Sequence, residues 1–349
     1  MTNEKCQMTY GKWLDSMHNL DLFQRRGGHG VPPLQTVTKR LRYGAVAHYN
    51  LAGRNKTMSS RNHVHLCAAV ALLFLLALAN SAPAQQRPLI TEDVDIIPPG
   101  TLRIEAGLDF LQGAKFPASG LTGDETRVGV IGVTIGLAPN VEFQIEGVAQ
   151  NFLSINTRGT SAIPLSLAPG ANSTNDTGDF ILWTKIKLRR ETRRGPSLGF
   201  RVGVGLPSSN QARGIGLNQT NAYGSLLVGK KFGHNGRFNT FGNIGVAILT
   251  APTQLFSQND VVTYGAAGIF RLNNQFSFAG EVNGRANTRP GDGPLGTESQ
   301  SEARLGMQIR ASGLRFDFAG IKGLTRFTHD SGFTVGVTYD TPSIFAPAK

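Results

Sequence analysis

The sequence predicts an all-β protein: a closed, antiparallel transmembrane β-barrel of about twelve strands. Three observations predict this fold class. Apolar and polar residues alternate with a period of two in one segment after another, which is the pattern of β-strands. The connections between these segments alternate between short turns and long loops. The 43 glycines among 349 residues disfavour a helical protein, because glycine inside a helix costs about 1 kcal/mol relative to alanine.

The chain contains a secretory signal at residues 58–84. Arg61 supplies a basic start, Leu66 to Ala79 is an unbroken apolar run, and the small residues around Pro83 form a cleavage signal. The run is shorter than the roughly 18–20 residues that cross a bilayer, so a signal peptide is favoured over a transmembrane anchor. Cleavage between Ala84 and Gln85 is predicted, and both cysteines then leave with the leader. A cysteine nucleophile, thiolate metal ligands and disulfides are excluded from the chain that remains.

Residues 1–57 precede this signal and contribute much of the formal charge of +12. A signal peptide normally starts a few residues before its apolar run. We therefore interpret residues 1–57 as an over-extended start, with Met58 as the initiator. The alternative is a disordered basic arm that binds nucleic acid. No nucleic-acid partner is expected for the barrel itself.

Residues 85–99 follow the cleavage site and end in Pro98 and Pro99, which rule out a helix leading into the first strand. This segment is either a periplasmic lead-in or a partial plug folded into the lumen. Residues 100–345 form the barrel.

The strands are recognised by their alternation, as in 101–110, where Leu102, Ile104 and Leu108 oppose Arg103 and Glu105. Each predicted strand is about as long as the 9–11 residues that a tilted strand needs to cross a bilayer. The predicted segments lie near 100–112, 126–138, 140–153, 178–189, 197–207, 220–232, 237–249, 261–271, 275–286, 301–311, 313–324 and 332–340.

The connections fall into two kinds. Short turns are predicted at 138–140, 193–195, 234–236, 272–274 and 311–313, and longer loops at 113–125, 154–177, 208–219, 250–260 and 287–300. Strict alternation places all short turns at one end of the sheet. Outer-membrane barrels have this asymmetry, with short periplasmic turns and long outer loops, whereas Greek-key sandwiches do not.

The two faces of the strands are predicted to meet lipid and a polar lumen. Aromatic residues near strand ends, Tyr223 and Phe232 among them, are candidates for interfacial girdles, although ordinary packing also places aromatics there. The polar face is too highly charged for a dry core, so these side chains are expected to line a wet or ion-paired lumen. The candidate lumen residues are Arg103, Glu105, Glu142, Glu146, Lys185, Glu281, Arg285, Arg304, Arg310 and Asp317.

Six segments of the mature chain resemble, in order, the outer-membrane barrels of the MetA pathway of phenol degradation family. They are GLAPNVEFQIEG (136–147), GDFILWTKIKL (178–188), GVGLPSS (203–209), GEVNGR (280–285), EARLGMQIR (302–310) and GFTVGVTYD (332–340). The resemblance covers essentially the whole mature chain. It implies an outer-membrane barrel that passes small molecules, hydrophobic or aromatic ones among them, with a structural role for Glu281 and Gly284. The chain departs from the usual barrel ending, because ten residues follow the terminal aromatic Tyr339.

The sequence supports no catalytic, cofactor or metal site. His234 and His329 are the only histidines after residue 84, and the run His329-Asp330-Ser331 lacks the geometry of a hydrolase triad because adjacent residues cannot line up as base, orienter and nucleophile. The expected function is a passive channel for small-molecule solutes in the bacterial outer membrane. Its expected partners are outer-membrane lipid and the barrel-assembly machinery. Two alternatives stay open: a structural or adhesive barrel whose lumen is closed by ion pairs, and an outer-membrane enzyme.

Overall fold

The structure, a computed structural model, describes residues 87–253, 257–291 and 293–345. The predictions for residues 1–57, the signal peptide and the Ala84–Gln85 cleavage site lie outside these residues. The described chain is almost entirely β-strand, with single 3₁₀ turns at Gln211–Arg213 and His234–Gly236.

The strands follow one another along the chain with no α-helix between them in the described ranges. Their bounds are β1 Leu102–Phe116, β2 Leu121–Ala138, β3 Val141–Arg158, β4 Ser173–Asp176, β5 Phe180–Arg189, β6 Ser197–Leu206, β7 Asn221–Phe232, β8 Phe238–Thr250, β9 Gln258–Arg271, β10 Phe276–Asn287, β11 Gln300–Ala311, β12 Leu314–Gly323 and β13 Ser331–Asp340.

Twelve of these strands form a closed antiparallel barrel, which confirms the predicted fold class. Each strand pairs with the next along the chain, and β1 also pairs with β13 from Arg103↔Asp340 to Gln112↔Ser331. The exception is the short β4, which pairs only with the outer part of β3 while β5 takes over the wall position beside Val141–Glu146. Closure leaves the wall without an unpaired edge.

The first hairpin differs from its prediction. Residues 113–125 were expected to be a long loop, but β1 and β2 run almost through it and are joined by a turn at 117–120. Register shifts between Glu105 and Leu108 and again between Leu111 and Ala114 break the period of two, and this break disguises the continuing strand. β4 lies in the predicted loop 154–177 and was also missed.

The outward face of the wall is apolar and exposed. In β7 and β8, Leu226 is 58% exposed and its register partner Ile244 is 61% exposed, whereas the neighbouring Leu227 is 2% exposed. Phe232, Phe238, Phe270 and Phe278 are neighbours by register on the same face, near the short turns. No helix in the described ranges has the length and apolarity needed to cross a membrane.

Candidate functional site

The predicted lumen residues lie on the inward register of the strands. Arg103 faces Asp340 across the β1–β13 pair, Glu142 faces Lys185 across β3–β5, and Glu281 faces Arg304 across β10–β11. Glu146, Arg285 and Arg310 are half-buried. The other seven are at least nine-tenths buried: Arg103, Glu105, Glu142, Lys185, Glu281, Arg304 and Asp317.

Residues 87–99, here called the inner segment, are bonded to strands on every side of the barrel. The backbone oxygen of Arg87 accepts a hydrogen bond from Gln308 of β11, and the Arg87 guanidinium donates to Val130 O of β2 at 3.0 Å. Further along, Asp93 accepts from Asn239 of β8 and Ile97 N donates to Glu142 of β3. A segment that reaches opposite walls of a closed barrel lies within its lumen.

Lys185 is the main anchor of the inner segment. Its ammonium group lies 2.6 Å from Glu92 Oε1 and 2.7 Å from Glu142 Oε1, and it donates to the carbonyl oxygens of Asp93 and Asp95 at 3.0 and 2.8 Å. Both ends of each pair are about 3% exposed or less. The wall lysine therefore holds a carboxylate and two carbonyls of the segment together with a carboxylate of β3.

Wall carboxylates bind backbone N–H groups of the same segment. Glu281 accepts from Ile90 N at 2.8 Å and from Thr91 N at 2.7 Å, and Glu142 accepts from Ile97 N at 2.8 Å. A segment without secondary structure has no partners of its own for these groups, and a buried N–H without a partner is costly. The wall supplies the bonds that a strand or helix would have made.

Glycines on the wall give the inner segment its room. A Cβ on Gly199 would lie 3.2 Å from Val94 Cγ1, and a Cβ on Gly229 would lie 3.3 Å from Val94 Cγ2. A Cβ on Gly136 would collide with the Pro98 carbonyl oxygen and lie 2.9 Å from Ile97 O. Part of the glycine excess in the sequence is thus explained by the close approach of this segment to the barrel wall.

The pKa values of two acidic groups of the inner segment, Glu92 and Asp93, are shifted in opposite directions. Burial alone raises the pKa of Glu92, but the charges of Lys185 and Arg201 outweigh burial and hold the pKa below its ordinary value of 4.5. Burial and the neighbouring Asp95 raise the pKa of Asp93 above 3.8. Ionised Glu92 therefore favours the bound segment, whereas ionised Asp93 opposes it.

A second group of ion pairs links neighbouring strands of the wall near the short turns. Arg103 forms a two-bond pair with Asp340 at 2.6 and 2.7 Å. Arg315 lies 3.1 Å from Glu105 and 2.9 Å from Asp317, and Thr338 bonds to both carboxylates. These contacts join β1, β12 and β13, the strands that close the barrel.

Between the inner segment and the outer loops lies a chamber of about 490 Å³. Ile90 and Thr91 of the inner segment lie on one side of it, and the β1–β2 turn and the loops at 214–217 and 327–329 lie on the other. The chamber is lined by inward residues nearer the outer ends of the strands: Arg127, Trp183, Arg201, Tyr223, Ser225, Asn243, Thr263, Asn283, Arg285 and Glu302.

An aromatic and guanidinium cluster occupies one wall of the chamber. Arg201 lies 3.9 Å over the Trp183 ring, and Trp183 Nε1 donates to Glu146 at 2.9 Å. Arg201 also pairs with Glu146 at 2.6 Å, and Tyr223 lies 5.2 Å from Trp183 between ring centroids. The girdle position expected for Tyr223 is wrong: this residue is on the inward register of β7, paired with Gly203 and Ala247.

Trp183, Arg201 and Glu92 were not among the predicted lumen residues. The period of two could have found the first two, because Trp183 is two positions before Lys185 and Arg201 alternates with Phe200 and Val202. Glu92 lies in a segment without periodicity, so no local pattern points to it.

The run His329-Asp330-Ser331 does not form a hydrolase triad in the structure. His329 lies 3.3 Å from Glu302, Asp330 pairs with Lys115, and Ser331 donates to Gln112, so the three side chains have separate partners. No group of three or more metal-ligating side chains is present in these ranges.

Solved structures similar to this chain are outer-membrane barrels. No family model and no curated protein matches the sequence. An outer-membrane channel from Pseudomonas putida F1 is 15% identical over 71% of this chain and 97% of that chain, with a TM-score of 0.50. The NanC porin is 12% identical over 68% and 98%, with a TM-score of 0.43. The toluene transporter TodX of Pseudomonas putida is 10% identical over 71% and 90%, with a TM-score of 0.33.

At these identities the similarity concerns the fold alone, and it rests on the first structure, whose TM-score is 0.50. The chain has the closed β-barrel fold of that structure. The more specific resemblance to the MetA pathway of phenol degradation family stays a prediction.

Proposed function

We propose that the protein is a passive outer-membrane channel for small molecules, hydrophobic or aromatic ones among them. The observation that carries the proposal is a solute-sized chamber inside a closed barrel with an apolar outer face. In the resting state the inner segment closes the lumen on the short-turn side of this chamber.

The outer face supports placement in a bilayer. Leu226, Ile244 and Leu305 are 58%, 61% and 75% exposed, and such a continuous apolar surface is unfavourable in water. A closed barrel satisfies its backbone hydrogen bonds internally, as a lipid environment requires. Residues 58–84 would direct export, and the assembly machinery would insert the barrel into the outer membrane.

The inner face supports a route for solutes. A wall of twelve strands is wider than the filled eight-stranded barrels and narrower than the open porins, so its lumen can hold a segment of chain and a small solute. The electric field of the charged groups and the free cross-section of the lumen together determine which solutes pass. Transport down a gradient needs no cofactor.

Liposome swelling tests the proposal. Proteoliposomes containing the purified barrel are challenged with isosmotic sugars, amino acids and phenolic compounds, and empty liposomes serve as the control. The proposal expects protein-dependent swelling with at least one small solute. Absence of swelling with every solute, for the wild type and for a variant lacking residues 87–97, would contradict a channel.

The ion-pair network favours a second candidate, a structural barrel whose lumen stays closed. Lys185 is buried and pairs with both Glu92 and Glu142, which is the pattern expected of a permanent seal. The two candidates differ in the wild type, because deletion of residues 87–97 removes Glu92 and with it the seal in either case. A releasable segment lets the wild type pass at least one small solute, whereas a permanent seal leaves the wild type impermeable and only the deletion variant open.

A further inference from the structure

We infer that the chamber binds a small organic anion with an aromatic ring, such as an aromatic carboxylate. This inference rests on the proposed function and specifies the substrate class of the same site. It depends on the charges that line the chamber, on the apolar surface opposite them and on the chamber's size.

Most charged groups that line the chamber are paired within the protein. Glu125 lies 3.0 Å from Arg127, and Lys115 lies 2.6 Å from Asp330. Glu302 lies 2.6 Å from Arg304 and 3.3 Å from His329. Arg201, on the aromatic wall, is paired with Glu146 as described above. These pairs leave little net charge to offer a solute.

Arg285 is the exception. It donates from Nε to Glu298 O at 2.9 Å and from Nη2 to Gly296 O at 3.3 Å, and both acceptors are neutral backbone carbonyls. Among the described residues no carboxylate lies within salt-bridge distance of it, and the Glu298 carboxylate bonds instead to Gly296 N at 2.8 Å. The two carbonyls hold the guanidinium in place without neutralising its charge, which leaves a fixed cation at the chamber wall.

The rest of the lining suits an aromatic ring. Arg285 lies on β10, and across the lumen Tyr223 and Trp183 form a tilted aromatic pair on β7 and β5. Aromatic rings favour such tilted or offset partners. Apolar side chains from the inner segment and the outer loops add to this surface: Ile90, Phe116, Ile163, Ile215, Leu217 and Phe327.

The size of the chamber fits a single-ring acid. Its volume of about 490 Å³ falls within the range of roughly 300–1,000 Å³ that is common for small-molecule sites. Arginine binds carboxylates with two parallel hydrogen bonds, and such charge-assisted bonds are stronger than neutral ones. The carboxylate would bind Arg285 while the ring packs against the aromatic wall, so both halves of the ligand are recognised.

Calorimetric titration of the full-length, detergent-solubilised protein tests the inference with four probes. Benzoate carries both features, benzyl alcohol lacks the charge, benzylammonium reverses it, and acetate lacks the ring. We expect benzoate to bind at least about tenfold more tightly than each of the other three. Equal binding of benzoate and benzyl alcohol, or of benzoate and acetate, would overturn the inference.

Substitutions locate the binding group. Arg285→Gln is expected to abolish the preference of benzoate over benzyl alcohol, and Arg285→Lys to retain part of it. Arg271→Gln is the matched control, because Arg271 lies at the short-turn end of β9, away from the chamber, and has no salt bridge in the described structure. If Arg285→Gln keeps the full preference for benzoate over benzyl alcohol, a group other than Arg285 binds the carboxylate and the inference is wrong. Because binding is measured without a membrane, a failed inference is distinguishable from a failed channel proposal, which depends on swelling.

Discussion

Replacing Lys185 with methionine is expected to release the inner segment. Methionine keeps the length of the side chain and removes the charge that lies 2.6 Å from Glu92 and 2.7 Å from Glu142. Glu142 then stays buried without this cation, and Glu92 keeps only one cation, Arg201, at 3.4 Å. Removing one partner from a buried ion pair typically costs about 3–5 kcal/mol.

That cost falls mainly on the bound state, because Glu92 regains water when the segment leaves the wall. At about 1.4 kcal/mol for each factor of ten, the equilibrium between bound and released segment shifts by about 100- to 4,000-fold. The matched control is Lys115→Met. Lys115 and Asp330 are 28% and 66% exposed, and such surface pairs contribute only about 0–1 kcal/mol.

Two assays report the release. Single-channel conductance in planar bilayers should rise in Lys185→Met by much more than any change in Lys115→Met, because the Lys115 side chain bonds to Asp330 and Thr328 O and not to the inner segment. The second assay places a cysteine by Val94→Cys at a side chain that is 0% exposed, in a chain with no natural cysteine after residue 84. Its labelling by a thiol reagent should accelerate only in the Lys185→Met background. Unchanged conductance and labelling in a folded Lys185→Met barrel would refute the anchoring role of Lys185.

Three further predictions concern the inner segment and the lipid face. Gly136→Ala adds a methyl group against the Pro98 carbonyl of the inner segment, so it should displace the segment and raise conductance. Gly224→Ala, with open space around the added methyl group, should leave conductance unchanged. Equal effects of the two substitutions would contradict close packing of the segment on the wall. Because the pKa of Glu92 lies below 4.5, the contribution of this carboxylate to binding of the inner segment persists above pH 4.5 and is lost as the pH falls through the lowered pKa. Conductance should therefore rise in acid, and Glu92→Gln should remove that rise. The same acid-induced rise in the variant as in the wild type would show that Glu92 is not the titrating group. Leu226→Arg on the exposed face should lower the free energy of unfolding in lipid vesicles by about 2–4 kcal/mol, and Leu272→Arg, in a turn, by about 0–1 kcal/mol. Urea titration in vesicles measures both free energies. Equal losses in the two variants would argue against contact between Leu226 and lipid.

The barrel wall could be predicted from the sequence because a strand with two different environments carries its own signal. The alternation that put Arg103, Glu142 and Lys185 on one face needs no knowledge of the rest of the fold. The signal fails where neighbouring residues are both apolar. Leu226 and Leu227 differ only in the direction they face, and in the same strand Tyr223 was assigned to the wrong surface.

The course of the inner segment could not be predicted in this way. Its bonds connect residues far apart in the chain: Ile90 and Thr91 bind Glu281, and Arg87 accepts from Gln308. Such a segment has no period because its partners are supplied by the barrel around it. The chamber depends on the same closure, since Arg285 and Trp183 share it only once the sheet has closed. The alternation of residue types predicts the residues of the wall but not the arrangement that they form together.

Removal of residues 87–97 tests most directly whether a solute route exists behind the inner segment. The measurement is single-channel conductance of the deletion variant beside the wild type, with slower migration after boiling on gels as the check that both barrels are folded. We predict a stable open current in the variant, several-fold above that of the wild type. A folded deletion variant that conducts no better than the wild type would contradict closure by this segment.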